Sequence, residues 1–161
     1  MITFIRNLIP QFVVFTFLSG CQSSPVTFDV IGIKQIGDGT RYKISIAIDN
    51  ENLKIISENQ YYTSIYVYKC TNPKDYYPAS PVLNDGIDMS DFDQIENEID
   101  EMPDQEKHQI VVTVPAKFIG DKRVDICLKF NGGNYFGRKL NSNIARLTTL
   151  GVVELRGQNT N

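Results

Sequence analysis

Strict alternation of apolar and polar residues is the feature that most constrains how this chain can fold. From Arg41 to Ile48 every second residue is Tyr or Ile, and Gln109 to Val114 places Ile110, Val112 and Val114 in the same alternating pattern. A period of two puts one apolar face on a β-strand, whereas an amphipathic helix needs apolar residues three and four positions apart. The chain therefore has to bury one face of several strands.

Similar segments recur along the chain and are separated by runs of Gly, Asn and Asp, the residues typical of turns. The pattern predicts strands at Val26 to Lys34, Arg41 to Ile48, Leu53 to Ile56, Tyr61 to Lys69, Gln109 to Val114, Arg123 to Phe130, Tyr135 to Leu140 and Ala145 to Leu155. A one-residue phase slip beside Gly32 indicates a β-bulge. About seven short strands with intervening turns predict an all-β fold, a β-sandwich.

The first twenty residues have the composition of an export signal. Arg6 precedes an apolar stretch whose purest run is Phe12 to Leu18. A helix needs roughly 20 apolar residues to cross a bilayer, so this run is too short to span one. It matches the short apolar region of a secretory signal peptide, and we assign residues 1–20 to that signal.

The tetrapeptide Leu18-Ser19-Gly20-Cys21 that ends this stretch resembles the lipobox of bacterial lipoproteins. The resemblance implies cleavage before Cys21, acylation of Cys21 and a lipidated tether over residues 21–25. Several acyl chains bind a membrane durably, so the implied partner of the tether is the bilayer itself. Gln22, where Asp would favour the inner membrane, implies an outer-membrane protein facing the periplasm. The alternative is an ordinary secretory signal followed by a chance Cys.

The remaining chain has the size of one domain, which we assign to residues 26–157. This domain contains Cys70 and Cys127, which are the cysteines of the sequence other than Cys21. An even pair of cysteines in an oxidising compartment predicts a disulfide. The alternative, a pair of metal-bound or free thiols, lacks further ligands because the chain has a single His and no CxxC motif. We expect neither a metal nor a cofactor.

The run from His108 to Leu147 looks like the closing strands of an immunoglobulin-like domain, with clear departures from that pattern. The chain contains no Trp, and Asp125 stands two residues before Cys127, where the tyrosine corner would have Tyr. Alternation also puts Cys127 on the polar face with Asp125 and Lys129. We therefore expect a disulfide on an outer face, joining Cys70 at a strand end to a neighbouring strand, rather than a bridge through the core.

Charge is concentrated in one segment, Asn84 to Glu106, which contains ten acidic residues and no basic residue. We interpret residues 84–106 as an acidic insertion in the sandwich. Phe92, Ile95 and Ile99 would share one face of a helix from about Ser90 to Glu101, with Ser90 as its N-cap. A solvated loop explains the segment equally well. An acidic exported protein without a basic aromatic stripe is not expected to bind nucleic acid.

The polar residues suggest two chemical uses, and neither has a complete motif. Calcium binding would use Asp85, Asp88, Asp91 and Asp93, but the EF-hand pattern fails because no Gly follows Asp91 and Asp93 where that loop must turn. Catalysis has no G-x-S-x-G motif to support it, and His108 is the only histidine. We expect His108 to be exposed at a strand edge, and the protein not to be an enzyme.

Six tyrosines are concentrated in the middle of the chain, where they either pack on the sheet or form a contact patch: Tyr61, Tyr62, Tyr66, Tyr68, Tyr76 and Tyr77.

The combination of small size, lipobox, sandwich-like body and cysteine pair resembles the immunity lipoproteins that protect bacteria against periplasm-acting effectors of type VI secretion. The resemblance implies a protein partner. An acidic insertion would fit a basic cleft on that partner. The expected contact residues are Asp88, Asp91, Asp93, Glu96 and Glu98. Two other classes stay open: a structural lipoprotein of an envelope or secretion complex, and a small-ligand or ion binder.

Overall fold

The computed structural model describes residues 25–83, 86–102, 107–120 and 125–148. Cys21, the signal segment and the tether up to residue 24 lie outside these ranges, as does Asp85. The elements in chain order are β1 (Asp29–Ile36), β2 (Arg41–Asp49), α1 (Asn50–Glu58), β3 (Tyr62–Lys69), β4 (Tyr76–Ala79), β5 (Val82–Leu83), β6 (Ile87–Asp88), α2 (Phe92–Glu101), β7 (Lys107–Pro115), α3 (Ala116–Ile119), β8 (Ile126–Gly133) and β9 (Ile144–Leu147).

The strands form two antiparallel sheets that pack face to face, which confirms the all-β sandwich. One sheet has the order β1-β2-β7-β5-β6 and the other has the order β4-β3-β8-β9. Strands β5 and β6 were absent from the prediction because two residues are too few to show alternation, and β4 was absent because proline argues against a strand. Pro78 lies in β4, which is an edge strand, where the missing backbone N–H costs no ladder hydrogen bond.

The alternating residues supply the core, as expected. Ile44, Ile46 and Ile48 of β2 are buried, and so are the apolar residues of β7. They face Ile65 and Val67 of β3 and the apolar side of β8. Phe28 and Phe130 close the core between the sheets with an edge-to-face contact at 5.0 Å between ring centroids. Such pairs stabilise a core beyond the area they bury.

Two local backbone features follow from glycine. The register of β1 against β2 shifts between Val30 and Gly32, which confirms the predicted bulge. A Cβ atom on Gly132 would lie 2.5 Å from the backbone oxygen of Tyr62, so β3 and β8 can approach this closely only with glycine there. The sequence pattern predicts a turn at Gly132 and Gly133, but these residues end strand β8, and the turn follows at Asn134.

The segment Leu53 to Ile56 is helical, so the strand predicted there was wrong. Asp49 caps α1, its Oδ1 accepting a hydrogen bond from the backbone N–H of Asn52 at 2.7 Å. Leu53 and Ile56, three residues apart, are buried on one face of α1. Asp and Asn favour helix N-caps as well as turns, so the run from Asp49 to Asn52 was compatible with both.

Other strand boundaries also differ from the prediction. The strand predicted from Arg123 is observed from Ile126, with residues 121–124 outside the described ranges. Tyr135 to Leu140 is not a strand: it contains a turn held by hydrogen bonds between Asn134 and Arg138, with one isolated bridge at Lys139. The last described strand, β9, ends at Leu147, and the rest of the predicted strand to Leu155 lies beyond the described residues except for Thr148.

Cys70 and Cys127 form a disulfide, as predicted, with their Cα atoms 5.0 Å apart. Cys70 directly follows β3, and Cys127 pairs with Tyr68 across the β3–β8 ladder. Cys127 alternates with the buried Ile126 and Leu128, so the bridge lies on the outer side of this sheet. The bond therefore ties together two neighbouring strands and does not cross the core, in contrast to the inter-sheet bridge of antibody domains.

Candidate functional site

The described part of the acidic segment is ordered against the end of the sandwich. Strand β6 pairs with β5 at the edge of the first sheet, and a turn at Met89 and Ser90 leads into α2. The Met89 side chain is buried in the core and fixes this turn to the domain. Helix α2 then packs against α1. Of the two interpretations of this segment, a helix and a solvated loop, the structure shows the helix.

Helix α2 is amphipathic, and its two sides differ completely in chemistry. Ile95 and Ile99 are buried, and Phe92 contacts the ring of Tyr62 at 5.4 Å between centroids. The opposite side exposes Asp93, Glu96 and Asp100, with Glu101 in the same last turn. Residues three and four apart lie next to each other on a helix, so Asp93, Glu96 and Asp100 form one continuous surface, and Glu101 extends the charge around the last turn. We call Asp93, Glu96, Asp100 and Glu101 the acidic face.

The five predicted contact residues do not form a single group. Asp93 and Glu96 belong to the acidic face. Asp88 is exposed at the end of β6, where its Oδ1 accepts hydrogen bonds from the N–H and the hydroxyl of Ser90 at 2.9 and 2.8 Å. These two hydrogen bonds hold the pKa of the Asp88 carboxyl below its ordinary value, so Asp88 is ionised at neutral pH.

Asp91 has a local structural task. It is the N-cap of α2, and its carboxylate accepts hydrogen bonds from the backbone N–H of Gln94 at 3.2 Å and from the Gln94 side chain at 2.6 Å. The predicted cap, Ser90, was therefore wrong by one residue, because the Ser90 hydroxyl is directed to Asp88. Ser and Asp are both good N-cap residues, so residue type alone does not decide between Ser90 and Asp91. The position at which the backbone enters the helix decides it.

Glu98, the fifth predicted residue, faces the interior of the domain. Its carboxylate is largely buried, with Oε1 3.8 Å from Nδ1 of His108. His108 also bonds through Nε2 to Oδ1 of Asn50, the first residue of α1. One side chain thus contacts both helices at the end of the sandwich.

The expectation that His108 is exposed was wrong, since only 1% of its surface is accessible. Alternation contained the signal: His108 is in phase with Ile110, Val112 and Val114 of β7, and all four side chains point into the core. Burial lowers the pKa of the His108 imidazole, and the nearby Glu98 carboxylate opposes this shift. The neutral form is therefore favoured in the folded protein.

Two of the four residues of the acidic face lie at the unfavourable end of the helix. Asp100 and Glu101 occupy the last turn of α2, which has no basic residue. The helix dipole gives that end a partial negative charge, so carboxylates there are destabilising by about 0.3–1 kcal/mol each when exposed. Glu96 and Asp100 are also four residues apart and repel each other. Helix stability alone does not account for acids at these positions.

Within the ranges that the structure covers, no group of three His, Cys, Asp or Glu side chains is arranged to hold a metal ion. Of the residues in the calcium hypothesis, Asp88 and Asp91 direct oxygens to Ser90 and Gln94. Asp93 points outward on α2. The covered ranges also contain no helix long and apolar enough to cross a membrane.

The tyrosines split between the two roles that the sequence left open. Tyr61 and Tyr68 are buried. Tyr66 and Tyr76 stack on the outer face of the second sheet with ring centroids 4.0 Å apart, and Asn131 donates a hydrogen bond to the Tyr66 hydroxyl. The stacked rings cover the sheet surface at its β4 edge.

A groove of about 510 Å³ opens beside α2 on the first sheet. Its apolar wall contains Ile31, Val111 and Met102, and Lys43 and Lys107 lie in its polar part. Glu98 and His108 also contribute to the lining. The volume falls within the range of small-molecule sites, which is about 300–1,000 Å³, but the groove is open to solvent.

No protein-family model matches this chain, and no curated protein matches it. Among solved structures, the chain is similar to AggA, the major subunit of aggregative adherence fimbriae type I from Escherichia coli. The two share 13% sequence identity over 77% of this chain and 93% of that chain, with a TM-score of 0.29.

Proposed function

We propose that this chain is a lipid-anchored envelope protein that faces the periplasm and acts by binding another protein through the acidic face of α2. Within this class, an immunity or inhibitor lipoprotein that neutralises a type VI secretion effector agrees best with the features of the sequence. The lipobox provides the anchor at Cys21. The partner would present a basic cleft to the acidic face.

The position of Asp100 and Glu101 is the observation that carries the proposal. These carboxylates are exposed at the end of α2 where they lower helix stability, and no basic side chain accompanies them in the last turn. Solubility alone would be served by acids anywhere on the surface. Carboxylates grouped on one rigid face instead create a local field that accelerates the association of a basic partner.

Capture from the native envelope with two charge-matched variants tests the contact. Asp100→Asn/Glu101→Gln removes two charges from the acidic face, those of the last turn of α2. Asp38→Asn/Asp75→Asn removes two exposed charges from turns elsewhere, and Asp38 has a positive φ that Asn tolerates well. We expect the first variant to retain several-fold less partner than the wild type, and the second to retain the same amount. Equal capture by all three proteins would refute a contact through the acidic face.

The anchor is tested separately by metabolic labelling with a fatty acid. We expect label on the wild-type chain and none on Cys21→Ser. Equal labelling of the two would contradict lipidation at Cys21. Because Cys70 and Cys127 are joined in the disulfide, Cys21 is the remaining cysteine of the sequence, and the substitution isolates its contribution.

The open groove beside α2 supports a second candidate, the binding of a small ligand. Its mixed lining of Ile31, Val111 and Lys43 would suit an apolar molecule with an anionic group. If capture recovers no protein partner, native mass spectrometry of the purified envelope protein should reveal a co-purifying small molecule. Val111→Glu would place a carboxylate in that wall and should abolish its retention. If the chain is instead a structural protein of an envelope complex, it should co-purify stably with several other proteins.

A further inference from the structure

Two adjacent aromatic residues stand out on the described surface. Tyr135 and Phe136 are 91% and 88% exposed at the tip of the turn that follows β8. Large aromatic side chains bury more than half of their surface in most folds, and a pair this exposed is typical of a contact site. The position of this turn in the domain indicates which kind of surface the two rings contact.

Hydrogen bonds of the Asn134 side chain hold this turn in place, so the fold itself keeps Tyr135 and Phe136 exposed. Asn134 Oδ1 accepts hydrogen bonds from the backbone N–H groups of Phe136 and Arg138 at 3.1 and 3.0 Å. The Asn134 side chain also donates to the backbone oxygen of Asn59 at the end of α1 at 3.1 Å. A rigid loop presents its rings to a partner without a large loss of conformational entropy on binding.

The course of the chain places the amino-terminal entry to the domain on the same side as this tip. Strand β8 runs towards the tip, and the segment from Lys139 to Ser142 runs back, with Lys139 antiparallel to Gly133. Val26 pairs parallel to Ser142, so from Val26 onward the chain also runs away from the tip. The chain therefore enters the domain from the side of Tyr135 and Phe136.

The tether is short compared with the domain. Five residues, Cys21 to Pro25, separate the lipobox cysteine from Val26, and they span at most about 17 Å when extended. The tip lies about three residues, or about 10 Å, beyond the level at which Leu140 pairs with Gly132, and Val26 pairs with Ser142 about 7 Å further from the tip. The extended tether can therefore cover the distance of about 17 Å from Val26 to the tip. With the anchor in a bilayer, the tip is within reach of the lipid headgroups.

We propose that Tyr135 and Phe136 insert into the membrane interface and fix the orientation of the domain on the bilayer, an inference that rests on the lipid anchor of the proposed function. Tyr prefers this interface, where its ring is apolar and its hydroxyl is hydrated, and Phe supplies apolar area. Arg138 and Lys139, both exposed next to the tip, suit the phosphate groups of lipid headgroups. The lipid at Cys21 and the two rings together would contact the bilayer at three points, which define the orientation of the domain.

The chain contains no Trp, so a single introduced indole reports its own surroundings. The mature chain carrying Phe136→Trp is coupled through the Cys21 thiol to a maleimide lipid in phosphatidylcholine vesicles, with or without brominated acyl chains. The control is Tyr76→Trp, at a 43%-exposed position opposite Tyr68. Tyr68 lies about 20 Å along β3 from the strand end nearest the tip.

We expect brominated lipid to lower the indole emission of Phe136→Trp at least about twofold, with a shift to shorter wavelength, because an interfacial ring lies about 5–10 Å into the bilayer. The emission of the Tyr76→Trp control should be unaffected. Equal emission of Phe136→Trp with and without bromine, in chains shown to sediment with the vesicles, overturns the proposal and leaves the two rings as a protein contact.

The two proposals can fail separately. Coupling at Cys21 supplies the tether chemically, so the quenching of Phe136→Trp does not depend on acylation in the cell. Quenched emission of this variant without fatty-acid labelling of Cys21 would contradict the natural anchor and retain the affinity of the tip for lipid. Labelled Cys21 with unquenched emission of Phe136→Trp would retain the anchor and exclude the tip contact.

Discussion

At the scale of single residues, His108 connects the end of the sheet to both helices. Its imidazole contacts Glu98 of α2 and Asn50 of α1, and it is enclosed on the core side of β7. A buried imidazole beside one carboxylate has two opposing influences on its charge, and here burial is the larger. The protonation of this residue is therefore linked to folding.

The sign of that linkage gives a prediction. The pKa of His108 is lowered in the folded state, so between that lowered pKa and about 6.5 the unfolded chain binds a proton that the folded chain does not. The free energy of unfolding should be constant for this group above pH 6.5. Below pH 6.5 the free energy of unfolding should decrease, by at most about 1.4 kcal/mol for each pH unit.

Urea denaturation at pH 7.5 and 5.5 measures this loss, and His108→Gln is the control. The variant should lack the component of the pH dependence that comes from imidazole titration in this window. An identical change in the wild type and the variant would show that other groups cause it.

A second residue-scale prediction separates the two possible N-caps of α2. Asp91→Ala removes the acceptor for the backbone N–H of Gln94 and should lower the free energy of unfolding by about 1 kcal/mol. Ser90→Ala removes only the hydroxyl contact to Asp88 and should cost less. Urea denaturation of both variants provides the comparison. A larger loss for Ser90→Ala would contradict the observed cap.

At the scale of elements, helix α2 should gain stability when its last turn loses charge. Asp100→Asn/Glu101→Gln removes two carboxylates from the negative end of the helix dipole and should raise the free energy of unfolding by about 0.5–1 kcal/mol. Asp93→Asn removes an acid from the first turn, where it is favourable, and should lower it slightly. Opposite signs in denaturation experiments support the dipole explanation, whereas equal signs would refute it.

The disulfide acts on the pair of strands β3 and β8. It closes a loop with a sequence separation of 57 residues. The chain-entropy description predicts that Cys70→Ser/Cys127→Ser lowers the free energy of unfolding by about 4 kcal/mol. Denaturation of this variant and of the oxidised wild type measures the difference. No difference would contradict the chain-entropy description for this disulfide.

At the scale of the whole molecule, the alternating strands were predictable because their apolar residues have to face one core. The rule that revealed β2 and β7 also applies to His108, but a lone polar residue at a strand start resembles an exposed end. The sequence could not reveal that Asn50 and Glu98 would enclose it. Asn50 is 58 residues from His108 in the chain, so no local sequence pattern could predict this contact.

The helices were harder to predict for a different reason. Helix α1 has only nine residues, and its apolar run reads equally well as a strand. Helix α2 was one of two open interpretations because its acidic residues also suit a solvated loop. Packing of Ile95 and Ile99 against the domain decides between them, since burial of an apolar face contributes more than the helix propensity of a short segment.

The central claim, recognition of a basic protein partner by the acidic face of α2, is tested most directly by the salt dependence of association. For a partner recovered with the wild type, the association rate is measured at about 0.01 M and 0.15 M salt, where the screening length changes from about 30 to 8 Å. The rate of the wild type should fall about tenfold or more with added salt, and Asp93→Asn/Glu96→Gln should show a smaller fall. Identical salt dependence of the wild type and this variant, with Asp38→Asn/Asp75→Asn as reference, would contradict the claim.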